Sequence, residues 1–260
     1  MRDKIEINMD EYAVRVSVQI YMVSPITQLA EAFGSGFIAK YNNEFFLVSV
    51  SHVINYNDLV VTAETNKPPE NGVRPLLNVG GLMQYNLISM AETATSHDLL
   101  KALEKGGDRL DITFARLNEK PVIFQREIIF KDYLHIKGGG KIIIDLDTEI
   151  TAEPDKTKLY SFFGYIKQSY DENNILHMTP TLKNNLKYQG SDKYFHRFLT
   201  PKIITSKEDF QGCSGAPIID NDGKFVGLAC KLKEGTKLLY GFSAKEFIKL
   251  LKISIETGQL

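Results

Sequence analysis

The sequence predicts an all-β fold of barrel or sandwich type, on three observations: short β-type runs recur along it, turn residues separate them closely, and only two segments carry a helical apolar period. The first run is Val14, Val16, Val18 and Ile20. Arg15, Ser17 and Gln19 alternate with them, which reads as a strand with one buried and one wet face. GSGFIAK and EFFLVSVSH then flank Tyr41, Asn42 and Asn43. Asparagine tolerates the left-handed backbone of a tight turn, so residues 34–52 read as a hairpin with His52 where its second strand ends. Further β-type runs are IIIDL near 142, LYSFFGYI near 159, and the pair APIID and KFVGLAC, joined by a tight turn at Asn221, Asp222 and Gly223.

Two helices interrupt the strands. SHDLLKALEKGG offers Ser96 as a cap, a stripe of Leu99, Leu100 and Leu103, and Gly106 as a stop, and it is read as an insertion before Asp111. The second begins at Ser243, which with Glu246 makes a capping-box pattern, and carries Phe247, Leu250 and Leu251 along one face as a terminal helix packed on the barrels. No internal repeat or low-complexity tract is present. The Gly138, Gly139, Gly140 run is the best candidate connection, dividing an N-terminal half, 1–137, from a C-terminal half, 138–260.

Composition narrows the function classes. With 43% hydrophobic residues, 260 residues bury a sizeable core without staples. The two cysteines, Cys213 and Cys230, are fewer than the four or more a bridge-dependent secreted protein carries, so a reducing compartment is expected. No apolar run has the length of a signal peptide or of a membrane span, which leads to an expected cytoplasmic location. The 31 Lys plus Arg balance 32 Asp plus Glu, so no global field draws nucleic acid or an anionic membrane, and neither is expected as a partner.

The strongest chemical signal is QGCSGAPIID at 211–220, a serine bracketed by glycines and followed by proline and a strand. Acyl transfer needs the nucleophile's own N–H and one two residues earlier to converge on a developing oxyanion, and glycine permits that backbone. Gly212 and Ser214 would supply those donors, and Cys213 between them is grouped with them in the expected oxyanion hole. A plain tight turn before a hairpin explains the same glycines.

Three blocks resemble the trypsin-like, chymotrypsin-class serine peptidases, in their bacterial intracellular form. QGCSGAP is similar to the nucleophile loop, VSVSHVI to the histidine block, and RLDITFARL at 109–117 to the aspartate strand. The order His52, Asp111, Ser214 is that of the chymotrypsin class. GSGFIAK, VGLAC and YGFSAKEFIKLL also resemble family segments, so the likeness covers nearly the whole chain. It implies a chymotrypsin-like double β-barrel, with His52 and Asp111 in the first barrel and Ser214 in the second. It also implies a serine endopeptidase in which neutral His52 takes the Ser214 proton and Asp111 fixes the imidazole tautomer, with protein or peptide as substrate. His97 with Asp98 is the rival pair, better explained by capping. His135, His177 and His196 lack ligand spacing, so no metal or other cofactor is expected.

The departures set further expectations. Cys213 stands where secreted relatives carry an aspartate, and it reads as a packed residue behind the site. Ala216 replaces a second glycine, a mild change. A neutral thiol cannot pair with a freed amino terminus, so activity is expected without N-terminal cleavage, and any control from a ligand or protein partner that orders residues 207–213. Counting back without gaps puts Glu208 at the floor of the primary pocket, where it would select Lys or Arg; a solvated loop is the alternative. Lys231 and Leu232 follow on the strand expected to line the same pocket, and Lys231 would instead favour an acidic side chain. Two other functions compete: a catalytically silent peptide-binding pseudo-protease of the same fold, and an all-β interaction module in which His52, Asp111 and Ser214 lie far apart.

Overall fold

A computed structural model of the chain describes residues 8–54, 58–65, 76–87, 95–98, 101, 108–130 and 134–260. It opens on a helix, α1 (Met9–Val16), which the sequence reading assigned in part to a strand. Asn8 caps it by accepting the Asp10 N–H at 2.8 Å, Asp10 and Glu11 occupy the first turn, and Glu11 pairs with Arg15 one turn on at 2.6 Å. The strand β1 therefore starts at Ser17 and runs to Val23, while Val14 and Val16 are buried in the helix. Every residue of β1 is buried, so neither face is wet. Within it Ser17 Oγ donates to Phe163 O at 2.7 Å and Gln19 Nε2 to Ile20 O at 3.2 Å.

The hairpin expected at 34–52 forms as β2 (Ala30–Tyr41) and β3 (Glu44–Ser49), with Asn42 and Asn43 both at positive φ, 49° and 62°. With β4 (Val60–Glu64), β5 (Leu76–Val79), β6 (Met83–Leu87) and β7 (Asp108–Leu117) they make one curled sheet in the order β5-β4-β1-β2-β3-β7-β6. Four short strands follow, β8 (Phe124–Gln125), β9 (Ile128–Phe130), β10 (Leu134–Ile136) and β11 (Gly139–Gly140), paired β9 with β10 and β8 with β11. The triglycine run thus contributes to a small ladder. Of IIIDL only β12 (Ile144–Asp145) is a strand, pairing in parallel with β2.

The rest of the chain closes a six-stranded barrel from β13 (Leu159–Tyr170), β14 (Leu176–Asp192), β15 (Phe195–Leu199), β16 (Pro217–Asp220), β17 (Phe225–Leu232) and β18 (Leu238–Ser243). The expected turn joins β16 to β17, the Gly223 N–H donating to Asp220 O at 3.0 Å. The terminal helix α2 (Ala244–Glu256) is capped by Ser243 as expected, with Phe247 and Leu251 buried and Leu250 half-buried. Phe247 ties the two sheets together. Its ring lies 5.9 Å from Phe37 of β2, 5.6 Å from Phe114 of β7 and 6.4 Å from Phe225 of β17. Burying one such side chain contributes roughly 1.5–3 kcal/mol, so this seam is a main link between the sheets.

The insertion before Asp111 is described only at its start. Ser96, His97, Asp98 and Lys101 are helical; Leu99, Leu100, Leu103 and Gly106 lie outside the described residues. The cap is Thr95, one residue before the expected Ser96: its hydroxyl accepts the Asp98 N–H at 3.3 Å and the Asp98 carboxylate accepts the Thr95 N–H at 2.9 Å. Among the described residues no helix is long and apolar enough to cross a membrane.

One buried cation gives the fold a pH dependence. Lys141 is half-buried as a residue with its ammonium enclosed, donating to Val14 O at 2.8 Å. Burial pushes it down to about 7, Arg15 adds repulsion and Glu64 opposes both. The unfolded chain, whose lysine titrates near about 10.4, then holds more protons than the folded chain between these values, so stability rises with pH across that window. Below the folded value the penalty is fully present. Between pH ~7 and ~9 the parent should gain on the order of 2 kcal/mol more than Lys141→Met in chemical denaturation. Parallel pH responses of the two proteins would contradict this account of Lys141.

Candidate active site

The β2–β3 hairpin delivers His52. After Ser49 the chain leaves β3 and enters a single 3₁₀ turn, Ser51–Val53, that holds the imidazole half-exposed at the sheet edge. β7 runs antiparallel beside β3, pairing Thr113 with Ser49, so Asp111 arrives next to that turn. Asp111 is buried, and its two carboxylate oxygens each lie 2.9 Å from His52 Nδ1. Oδ1 also accepts the His52 backbone N–H at 3.2 Å and the Ser51 hydroxyl at 3.2 Å. Burial works to raise this carboxyl. The His52 ring hydrogen bond and charge, the His52 N–H and the Lys231 ammonium together outweigh it and hold Asp111 below the usual carboxylate range. An ionised carboxylate only accepts, so Nδ1 carries the proton and Nε2 is the basic nitrogen.

Ser214 comes from the other sheet, on the loop between Phe210 and Pro217. It lines the same cleft as His52 and Asp111, a cavity of about 730 Å³. The loop's backbone requires its glycines. Gly212 has φ +104° and Gly215 φ +91°, and a Cβ on either would fall within 2.1 Å of Tyr165 O or 2.0 Å of Ser35 O, respectively. Within the loop the Cys213 N–H donates to Phe210 O at 2.9 Å. Cys213 is therefore not free to serve the oxyanion hole in which the sequence reading grouped it. Among the described residues neither the Gly212 nor the Ser214 N–H has an acceptor, which leaves two amide donors flanking that peptide.

Both cysteines are free and buried. Burial pushes the Cys213 thiol up to about 12, and Cys213 packs so closely on Gly164 that a Cβ there would meet Cys213 Cα at 2.8 Å. Cys230 lines the cleft, with Sγ donating to Tyr240 O at 3.2 Å; burial and then the Asp111 charge raise its thiol. Neither is a thiolate near neutral pH.

Of the two readings of Glu208, the solvated loop is the one that matches its position. Glu208 is exposed in a 3₁₀ turn, Lys207–Asp209, capped by the Ser206 hydroxyl, and it does not line the cleft. Gapless counting cannot register such a turn, which brings Lys207 to the cleft instead. Lys231 and Leu232 do line it, with Lys231 Nζ 5.1 Å from the centre of the Phe195 ring. Arg109 lines it too, two residues before Asp111 on the same strand and so on the same face, a relation the period of a strand makes readable. His97 and Asp98 are exposed at their helix start and do not line the cleft. His135, His177 and His196 pair separately with Glu127, Asp171 and Ser191. Among the described residues no group of three or more His, Cys, Asp or Glu could hold a metal ion.

No family model and no curated protein matches the sequence. Solved structures do. Over 98% of its length the chain is similar to a serine endoprotease from Yersinia pestis, covering 69% of that chain with a TM-score of 0.52 at 11% identity. An HtrA-type protease with a tripeptide matches over 97% of this chain and 64% of its own, at a TM-score of 0.47 and 12% identity. The protease of tobacco vein mottling virus matches over 89% and 77%, at 0.43 and 10%. With the first of these likenesses, the closed barrel and the curled sheet give a chymotrypsin-like double β-barrel fold with a C-terminal helix, as the resemblance implied.

Proposed function

We propose that the protein is a serine endopeptidase acting through an acyl-enzyme, with Ser214 as nucleophile, His52 as general base and Asp111 as its orienting carboxylate. One observation carries this reading: a buried carboxylate holds His52 Nδ1 at 2.9 Å in a cleft that Ser214 also lines. His52 Nε2 takes the Ser214 proton as Oγ attacks a peptide carbonyl, the Gly212 and Ser214 N–H groups receive the oxyanion, and the imidazolium returns the proton to the leaving amine. Water then repeats the sequence on the acyl-enzyme.

The cleft also supports a side-chain preference. Phe162, Phe210 and Leu239 give it apolar walls, and Arg109, Lys207 and Lys231 add three cations. Among the described residues Asp111 is the one lining carboxylate, and His52 already engages it. A substrate lysine or arginine would meet the like charge of Lys207 and Lys231 and, among the described lining residues, no unengaged acid, whereas an apolar side chain loses nothing by entering. In a fluorogenic peptide series, leucine or phenylalanine at the reacting position should exceed lysine or arginine by at least about tenfold in kcat/KM, or ~1.4 kcal/mol. Preference for the basic residues would overturn this part of the proposal. Hydrolysis that persists in Ser214→Ala would overturn the assignment of the nucleophile.

A further inference from the structure

We infer that Ser35 is a positioning residue for the oxyanion donors, a role that rests on Ser214 being the nucleophile. Ser35 lies on β2, fully buried, two residues before Phe37, where the pairing of β2 with β3 begins. Its polar atoms are consequently not used up by that ladder. Its Oγ donates to Gly212 O at 2.7 Å and its N–H donates to Ser214 O at 2.8 Å, so one residue of the first sheet holds two carbonyls of the nucleophile loop. Its own carbonyl accepts the Ser49 hydroxyl at 2.7 Å, which fixes Ser35 in turn.

The consequence follows from peptide planarity, since holding both ends of a peptide fixes its plane. The peptide joining Gly212 to Cys213 is held at its oxygen by Ser35 Oγ and at its N–H by Phe210 O, 2.9 Å away. The peptide joining Ser214 to Gly215 is held at its oxygen by Ser35 N and at its N–H by Ala229 O, 2.7 Å away. Two peptides in the loop are thus clamped at both ends. The Ser214 N–H belongs to the peptide between the two clamps and the Gly212 N–H to the peptide just before the first, so the clamps constrain where both point. Ser35 touches neither substrate nor the reacting atoms in this scheme. Its hydroxyl acts through the Gly212 carbonyl, and deleting it frees that peptide to rotate while the backbone bond to Ser214 remains.

The test uses the full chain carrying Ser35→Ala, with active sites counted from the acylation burst with N-acetyl-leucine 4-nitrophenyl ester. Per titrated site, kcat should fall by about tenfold to a hundredfold with KM held within about twofold, because the lost interaction belongs to the transition state. Affinity for a leucine boronic acid, whose tetrahedral adduct occupies the oxyanion site, should fall by the same factor as kcat/KM. Ser35→Cys keeps the volume with a weak donor and should lie between parent and Ser35→Ala, which provides a reading even where the alanine variant does not fold. A lowered thermal midpoint or active fraction, with parental kcat and boronate affinity per site, would make Ser35 merely structural and overturn the inference. A parent that shows no acylation burst would instead overturn the reading of Ser214, and this inference with it.

Discussion

Ser214→Ala and His52→Ala each reduce turnover on the order of a millionfold and leave the fold intact, because members of such a unit fail together. The structural half of this expectation comes from their surroundings. Ser214 engages its neighbours through its backbone carbonyl, which accepts the Ser35 N–H at 2.8 Å, and alanine keeps that bond. His52 is half-exposed on its 3₁₀ turn, so its removal opens no cavity in the core. The double variant should therefore lose no more than either single one. Turnover and thermal unfolding measured on the three proteins decide the matter, and independent, multiplying losses would break the unit.

Asp111→Asn is the second large effect, expected at about ten-thousandfold in kcat, and the hydrogen bonds around it give the reason. Two donors, the His52 N–H and the Ser51 hydroxyl, converge on Oδ1 at 3.2 Å. The hydroxyl has Leu110 O at 3.2 Å as a second acceptor, but an asparagine satisfies the His52 N–H only by placing its carbonyl oxygen there. Its amide then faces His52 Nδ1 from the position of Oδ2, 2.9 Å away, and both amide hydrogens are donors. Nδ1 must accept, the ring proton moves to Nε2, and the nitrogen needed as a base is protonated. Asp98→Asn is the control, since among the described residues that carboxylate engages only Thr95, at an exposed helix start. Steady-state kinetics of both variants distinguish the outcomes, and a larger loss at Asp98 would move the carboxylate role away from Asp111.

Much of this site is readable from short stretches of chain, because caps and turns depend on neighbours a few residues away. Asn42 and Asn43 mark the hairpin that ends at His52, Ser243 marks α2, and Gly212 and Gly215 mark a loop no other residue can trace. The misses have physical causes. Val14 and Val16 alternate with polar residues as a strand would, yet the Asn8 cap and the Glu11–Arg15 pair hold them in a helix, and β1 has no wet face to reveal its start. Glu208 was placed by counting, and a capped 3₁₀ turn carries it to solvent. The partnership of Ser35 with Gly212 joins residues 177 apart, and nothing local to either announces it.

Covalent labelling tests the central claim most directly. Full-length protein treated with a fluorophosphonate near neutral pH, digested and mapped by mass spectrometry, should carry one adduct, on Ser214. Labelling should disappear in Ser214→Ala and nearly disappear in His52→Ala, because only a serine whose proton is removed by a paired base attacks the phosphorus. An unlabelled parent, or an adduct that persists elsewhere in Ser214→Ala, would contradict the assignment of Ser214, His52 and Asp111 as one catalytic unit.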